Sequence, residues 1–251
     1  MTSIISIKNL SKRYKGSERL ALHDLNLIIQ KGEFFGLLGP NGSGKTTLIS
    51  ILCGLIEASS GEVIIAGEPI PKHIDKVKKN FNLVPQEIAL YPSLTLKENI
   101  NFFGKMYDLN REVLRERSEE CLHISGLKNF VDEPVSTFSG GMQRRANLIM
   151  SLINHPQILF LDEPAAHVDP QSRELIFEIL SNLNKQGTTI IYTTHYLEEA
   201  QHLCNRVAIL DSGTVLCNDS PEELIKNSPG ANNLSDVFFQ LTGKELRDIE
   251  G

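Results

Sequence analysis

The stretch Gly39-Pro-Asn-Gly-Ser-Gly-Lys-Thr-Thr47 constrains this chain more than any other. Two glycines, then lysine and a hydroxyl residue, follow the spacing of a loop that wraps a phosphate chain. Glu33-Phe-Phe-Gly-Leu-Leu-Gly39 reads as a buried strand and Lys45 to Leu55 as a helix, so the loop falls at a strand-to-helix turn, the context the motif needs. The whole stretch, with Pro40, Asn41, Ser43 and Thr47, is predicted to be a triphosphate cradle. Gly39, Gly42 and Gly44 let backbone N–H groups approach phosphate oxygens, and the helix points its positive dipole end at the same charge. Lys45 is expected to bind the β- and γ-phosphates, and Thr46 to ligate magnesium.

A second constellation lies downstream. Ile158-Leu-Phe-Leu-Asp162-Glu163 is an apolar strand ending in two carboxylates, at the end of the strand where open α/β sheets bind ligands. Asp162 suits a magnesium ion held through water, and Glu163 suits a base for the water that attacks the γ-phosphate. His195 ends the strand Thr188 to Thr194; it is either a contact to γ-phosphate and water or a satisfied structural histidine. Tyr14, at the end of the first strand, either stacks on a base or packs on the core. Ser139-Gly-Gly-Met-Gln143 opens a helix and forms a second N-terminus suited to anions, and one nucleotide does not need two.

The order of elements supplies the fold class. Ile4 to Ile29 reads as two antiparallel strands about a polar turn at Lys15 to Arg19. Gly61 to Gly67 is a short strand closed by a Gly-Glu-Pro turn, and Phe81 to Gln86 another strand, with Gln86 at its exit. Leu96 to Asp108, Arg111 to Gly126 and Ser139 to Asn154 carry helical spacing, making 89–155 a mainly helical insert. Strand, helix (Gln171 to Gln186) and strand then alternate, which predicts a parallel sheet with right-handed crossovers. A hairpin about Asp211-Ser-Gly213 and a short helix capped by Ser220 follow, and the last twenty-odd residues carry weak signals.

Phosphate loop, Gln86, the SGGMQ stretch, Asp162-Glu163 and His195, in this order, resemble the ATP-binding subunit of an ABC transporter, in particular the export-type drug, lipid and ABC-2 group. The resemblance covers residues 1–225. It implies an α/β fold: a phosphate-loop NTPase (RecA-like) parallel-sheet core (1–88 and 156–225), an N-terminal antiparallel β subdomain, a helical subdomain at 89–155 and a tail at 226–251. It also implies that Ser139, Gly140 and Gly141 clamp the ATP of a second copy, and that Tyr14 stacks on adenine. Gln86 would sense the γ-phosphate and magnesium and couple to a transmembrane subunit, and Asp169 would contact the partner protomer. Phe138 and Met142 stand where the family has leucine and glutamine. Ala165-Ala-His-Val-Asp169 departs from the usual loop but keeps the aspartate.

ATP and Mg2+ are therefore the expected ligands, and the expected partners are a second copy and a separate permease, docked on Ala89 to Ile100. A net charge of −6 argues against a nucleic-acid partner. Four cysteines without metal spacing, and a Met-Thr-Ser-Ile start, fit a reducing cytoplasm, and the resemblance implies a place at the inner face of the membrane through the permease. Ala146 to Leu161, free of charged residues, is too polar and short to span a bilayer. The alternatives fit less well. A soluble relative acting on ribosomes or DNA usually carries two ATP-binding units or a long coiled coil. A GTPase needs an aspartate that Asn184-Lys-Gln-Gly187 lacks, and neither a GTPase nor a small-molecule kinase explains SGGMQ.

Overall fold

The computed structural model describes residues 2–166 and 168–243. The chain opens with β1 (Ser3–Arg13) and β2 (Leu20–Gln30), which pair antiparallel. Then come β3 (Phe34–Leu38), α1 (Lys45–Leu52), β4 (Ser60–Ile65), β5 (Glu68–Ile70), α2 (Ile74–Val77) and β6 (Phe81–Val84). The helical insert contributes α3 (Leu96–Met106), α4 (Arg111–Ser125) and α5 (Gly140–Met150). After it follow β7 (Ile158–Asp162), α6 (Pro170–Lys185), β8 (Thr189–Thr194), α7 (Leu197–Leu203), β9 (Arg206–Asp211), β10 (Thr214–Asp219), α8 (Pro221–Lys226) and α9 (Leu234–Thr242).

Two sheets result. The antiparallel sheet has the order β2-β1-β4-β5, and the larger sheet the order β10-β9-β3-β8-β7-β6, parallel except for β10. Every residue of β3, β7 and β8 is buried, as expected of strands covered on both faces, and β3 and β7 are near-continuous apolar runs. The side of this sheet bearing Phe35, Leu37 and Phe160 packs with α1 and the antiparallel sheet. The other side, with Phe34, Leu38, Leu159 and Leu161, shares one core with Leu96, Ile100, Leu114 and Leu122 of the helical insert.

Several helices begin at capping side chains. Thr95 and Glu98 form a reciprocal capping box on α3, Asn110 caps α4, Ser139 caps α5, Asp169 caps α6 and Ser220 caps α8.

Several expected boundaries move. The turn expected at Gly-Glu-Pro lies one residue earlier: Ala66 and Gly67, at φ 49° and 84°, make the reversal, and Glu68–Ile70 pairs with β4 as an edge strand, where a proline is tolerated. The first helix stops at Leu52 because Gly54, at φ 71°, turns the chain out. α5 ends at Met150 rather than Asn154, the chain continuing as turns. α2 and α7 are short helices with no strong signal. The weakly patterned tail contains α9, which buries Leu234, Val237 and Phe238 in the same core as the helical insert. The remainder of that tail, 244–251, lies outside the described residues.

Candidate active site

The site is set by strand register. Leu38 at the end of β3 lies beside Thr194 of β8, and Asp162 at the end of β7 lies beside Thr193 of the same strand. Three neighbouring parallel strands thus end at one level. The segments leaving them, beginning at Gly39, His195 and Glu163, share one edge of the sheet, where ligands bind in open α/β folds.

Gly44 enters α1 in a left-handed conformation, φ 110°; a Cβ there would stand 2.7 Å from the Ala21 carbonyl oxygen, so only glycine fits. Lys45, the first residue of α1, is 5% exposed. Its Nζ donates to the carbonyls of Gly39 (2.7 Å) and Pro40 (3.1 Å) and stands 3.9 Å from Glu163 Oε1. Ser43 is buried beneath the loop, with its hydroxyl lacking a hydrogen-bond partner among the described residues, while Asn41 and Thr46 face outward. Tyr14 reaches this loop from β1: its hydroxyl and Thr47 Oγ1 are 3.2 Å apart, and its ring is 46% exposed with Lys12 Nζ 5.3 Å from the centroid.

The two carboxylates diverge because Glu163 takes a positive φ of 49°. Asp162 Oδ1 accepts a 2.6 Å bond from the Thr193 hydroxyl, which in turn accepts the Glu163 N–H at 3.1 Å. Thr193 thereby fixes both acids, a role with only a faint mark in the sequence, the hydroxyl pair Thr193-Thr194 at the strand end. Glu163 Oε2 lies 3.1 Å from His195 Nδ1, at an angle too poor for a hydrogen bond. The His195 ring rests on that of Tyr196, centroids 4.1 Å apart.

Ser139, Gly140, Gly141 and Asp169 make a second cluster. Ser139 and Gly140 are exposed, and Ser139 Oγ caps α5 by accepting the Met142 N–H at 3.3 Å. Gly141 is buried against the start of α6, where a Cβ would meet Ser172 Oγ at 2.1 Å and Asp169 Oδ2 at 2.7 Å. Asp169 Oδ1 accepts the Ser172 N–H at 2.9 Å, and bonds from the Ser172 backbone and side chain hold its carboxyl below the usual aspartate range. Gln86 is exposed at the exit of β6, and its carbonyl accepts from Arg144 Nη1 of α5. His167, in the altered loop, lies outside the described residues.

The sequence model of the family described as "ABC transporter" matches residues 22–166. This chain belongs to that family. The linearmycin resistance ATP-binding protein of Bacillus subtilis is 41% identical over 95% of this chain and 75% of its own length. The Nod factor export ATP-binding protein I of Cupriavidus metallidurans is 39% identical over 99% of this chain and 80% of its own. A dimeric ATP-binding cassette solved in a post-hydrolysis state with ADP and Pi superposes at a TM-score of 0.76, is 31% identical, and is matched over 98% of its length by 86% of this chain. The protein is an ATP-binding, ATP-hydrolysing subunit of an ABC transporter, with the phosphate-loop NTPase fold expected of one. These relatives give no support to a soluble role on ribosomes or DNA. Among the described residues of this ABC subunit, no helix is long and apolar enough to cross a membrane.

Proposed function

We propose that this subunit works in pairs at the cytoplasmic face of a membrane, closing on two ATP molecules to drive a separate export permease. The observation that carries the chemistry is the convergence of three side chains at one sheet edge, with Lys45 3.9 Å and His195 3.1 Å from the Glu163 carboxylate.

In this reading Tyr14 stacks on adenine, residues 39–47 wrap the phosphates, and Lys45 turns from the Gly39 and Pro40 carbonyls to the β- and γ-phosphates. Glu163 takes the proton of the attacking water, a contribution of roughly 10²–10⁴ in rate, and His195 holds water and γ-phosphate in line. The residues also fit magnesium, which is usually held by one or two carboxylates and substrate phosphates rather than by an all-protein cage. Thr46, Gln86 and Asp162 offer hard oxygens, and no cluster of three acidic, His or Cys ligands exists among the described residues. Such an ion would neutralise charge developing on the phosphates. Ser139 and Gly140, exposed at a helix N-terminus, would clamp the ATP of the second copy, with Gly141 and Asp169 behind them.

Export is favoured by the relatives, one a resistance protein and the other an export protein. The permease would dock beside Gln86, where Tyr91 and Phe102 stack edge to face at 4.7 Å and are 46% and 42% exposed, beside Met106 at 57%. Isolation of the subunit from detergent-solubilised native membranes tests this. An integral membrane chain recovered with the wild type and lost with Phe102→Asp is expected; its retention by Phe102→Asp and Tyr91→Asp alike would remove docking from this face.

A further inference from the structure

We propose that Glu199 and Arg173 form a positioning pair that holds His195 in its working orientation and ties it to the helix that begins at Asp169. The inference rests on the reading of His195 above but concerns residues outside the phosphate site. Glu199, on α7, is 8% exposed, and a buried carboxylate is costly unless its oxygens are paired. Its Oε2 accepts the hydroxyls of Tyr192 (2.7 Å) and Thr194 (3.0 Å). Burial, with Glu199 beside it, pushes the Tyr192 hydroxyl well above its ordinary pKa, so it stays a donor. Oε1 has no hydrogen-bond partner among the described residues and faces Arg173 Nε, equally unpartnered, at 3.7 Å.

Two paths lead from this pair to His195. Thr194 Oγ1, which donates to Glu199, also accepts the Tyr196 N–H at 3.0 Å, so one hydroxyl brackets the backbone on both sides of His195. The Arg173 guanidinium carbon lies 5.7 Å from the centroid of the Tyr196 ring, which also lies against the His195 imidazole at 4.1 Å and 39°. Arg173 also sits one turn into α6, its N–H bonded to the Asp169 carbonyl at 3.0 Å. A shift of α6 by under about 1 Å would bring Nε and Oε1 to hydrogen-bond distance. Contact of a second copy with the Asp169 loop would thus reach His195 through Arg173. A buried pair that only fastened α6 to α7 would need neither the bracket nor the ring stack.

The test uses the full chain with isotope-labelled histidine, the His195 ring signal being assigned by its loss in His195→Ala. Stacking on Tyr196 should displace that signal from the position of a free imidazole. In Glu199→Gln, which keeps an acceptor for both hydroxyls, and in Arg173→Gln, the signal should move towards the free position. Turnover should fall about tenfold with KM for ATP unchanged, Arg173→Lys should recover part of it, and Tyr196→Phe should be silent. In a His195→Ala background, Glu199→Gln should cost nothing further. An unmoved His195 signal in both glutamine variants, or an equal loss of turnover with and without His195, would overturn the proposal. Full turnover in His195→Ala would instead remove His195 from the chemistry, leaving the ring signal alone to decide the positioning. Should Glu199→Gln fail to fold, Arg173→Gln, at the 35% exposed end of the pair, gives the same readings.

Discussion

Lys45 Nζ stands 3.9 Å from Glu163 Oε1, so the cation at the start of α1 and the carboxylate at the end of β7 face each other at one edge of the sheet. Both are nearly buried, with side chains 5% and 10% exposed, where opposite charges interact more strongly than in water. A γ-phosphate bound by Lys45 would therefore lie within reach of a water held by Glu163.

Replacing Lys45 with alanine removes the mobile cation that the loop aims at the β- and γ-phosphates. ATP affinity measured by calorimetry should fall about 10- to 100-fold, as expected for lost charge-assisted bonds, and turnover should vanish. Unchanged affinity would mean that the cradle is misassigned.

Tyr14→Ala should weaken ATP and GTP binding alike by roughly 1–3 kcal/mol, since stacking reads no base edge. Tyr14→Phe keeps the ring and loses only the hydroxyl contact to Thr47, on an exposed side chain, so its affinity should stay close to wild type. Equal losses in Phe and Ala variants would transfer the role to the hydroxyl.

Glu163→Gln should bind ATP and accumulate as an ATP-bound dimer in sedimentation, with turnover reduced by roughly 10²–10⁴. Because Ser139 and Lys45 would serve one nucleotide from two chains, Lys45→Ala mixed with Ser139→Arg should regain activity that neither has alone. A wild-type specific activity independent of concentration, where only monomer sediments, would rule out the shared site.

Gly141→Ala drives a methyl group into Ser172 and Asp169. Overpacking of this kind costs about 1–3 kcal/mol, and thermal melting should show it. Gly140→Ala meets nothing within 4 Å, so its melting should be near wild type while its turnover reports on the partner's nucleotide.

Burial pushes the thiols of Cys53 and Cys121 up to about 12 and that of Cys217 to about 11. All three stay protonated at pH 8, where the thiolate is the reactive form. A thiol reagent should label the folded protein slowly at that pH and all four cysteines rapidly in denaturant.

The strand-to-helix loop about Lys45, the acidic pair and the helix starts at Ser139 and Ser220 were legible because each is local: a run of residues with fixed spacing dictates its own backbone. Ser139 and Ser220 cap their helices through side chains that reach only three residues along the chain. β5 is not legible in the sequence because it contains Pro69, and only its place at a sheet edge, which depends on β1 and β4, makes a proline acceptable there. α9 was faint because its stability comes from packing on distant partners rather than from its own pattern.

The sequence by itself determined that a glycine-rich loop with Lys45 joins a strand to a helix, that two acids close a buried strand and that Ser139 starts a further helix, since spacing and residue type suffice for those. Only the tertiary structure decided that β3, β8 and β7 end at one level, that Thr193 holds both Asp162 and Glu163, and that Glu199 faces Arg173. Those relations join residues far apart in the chain, and strand order and register fix them, neither of which is encoded in any single stretch.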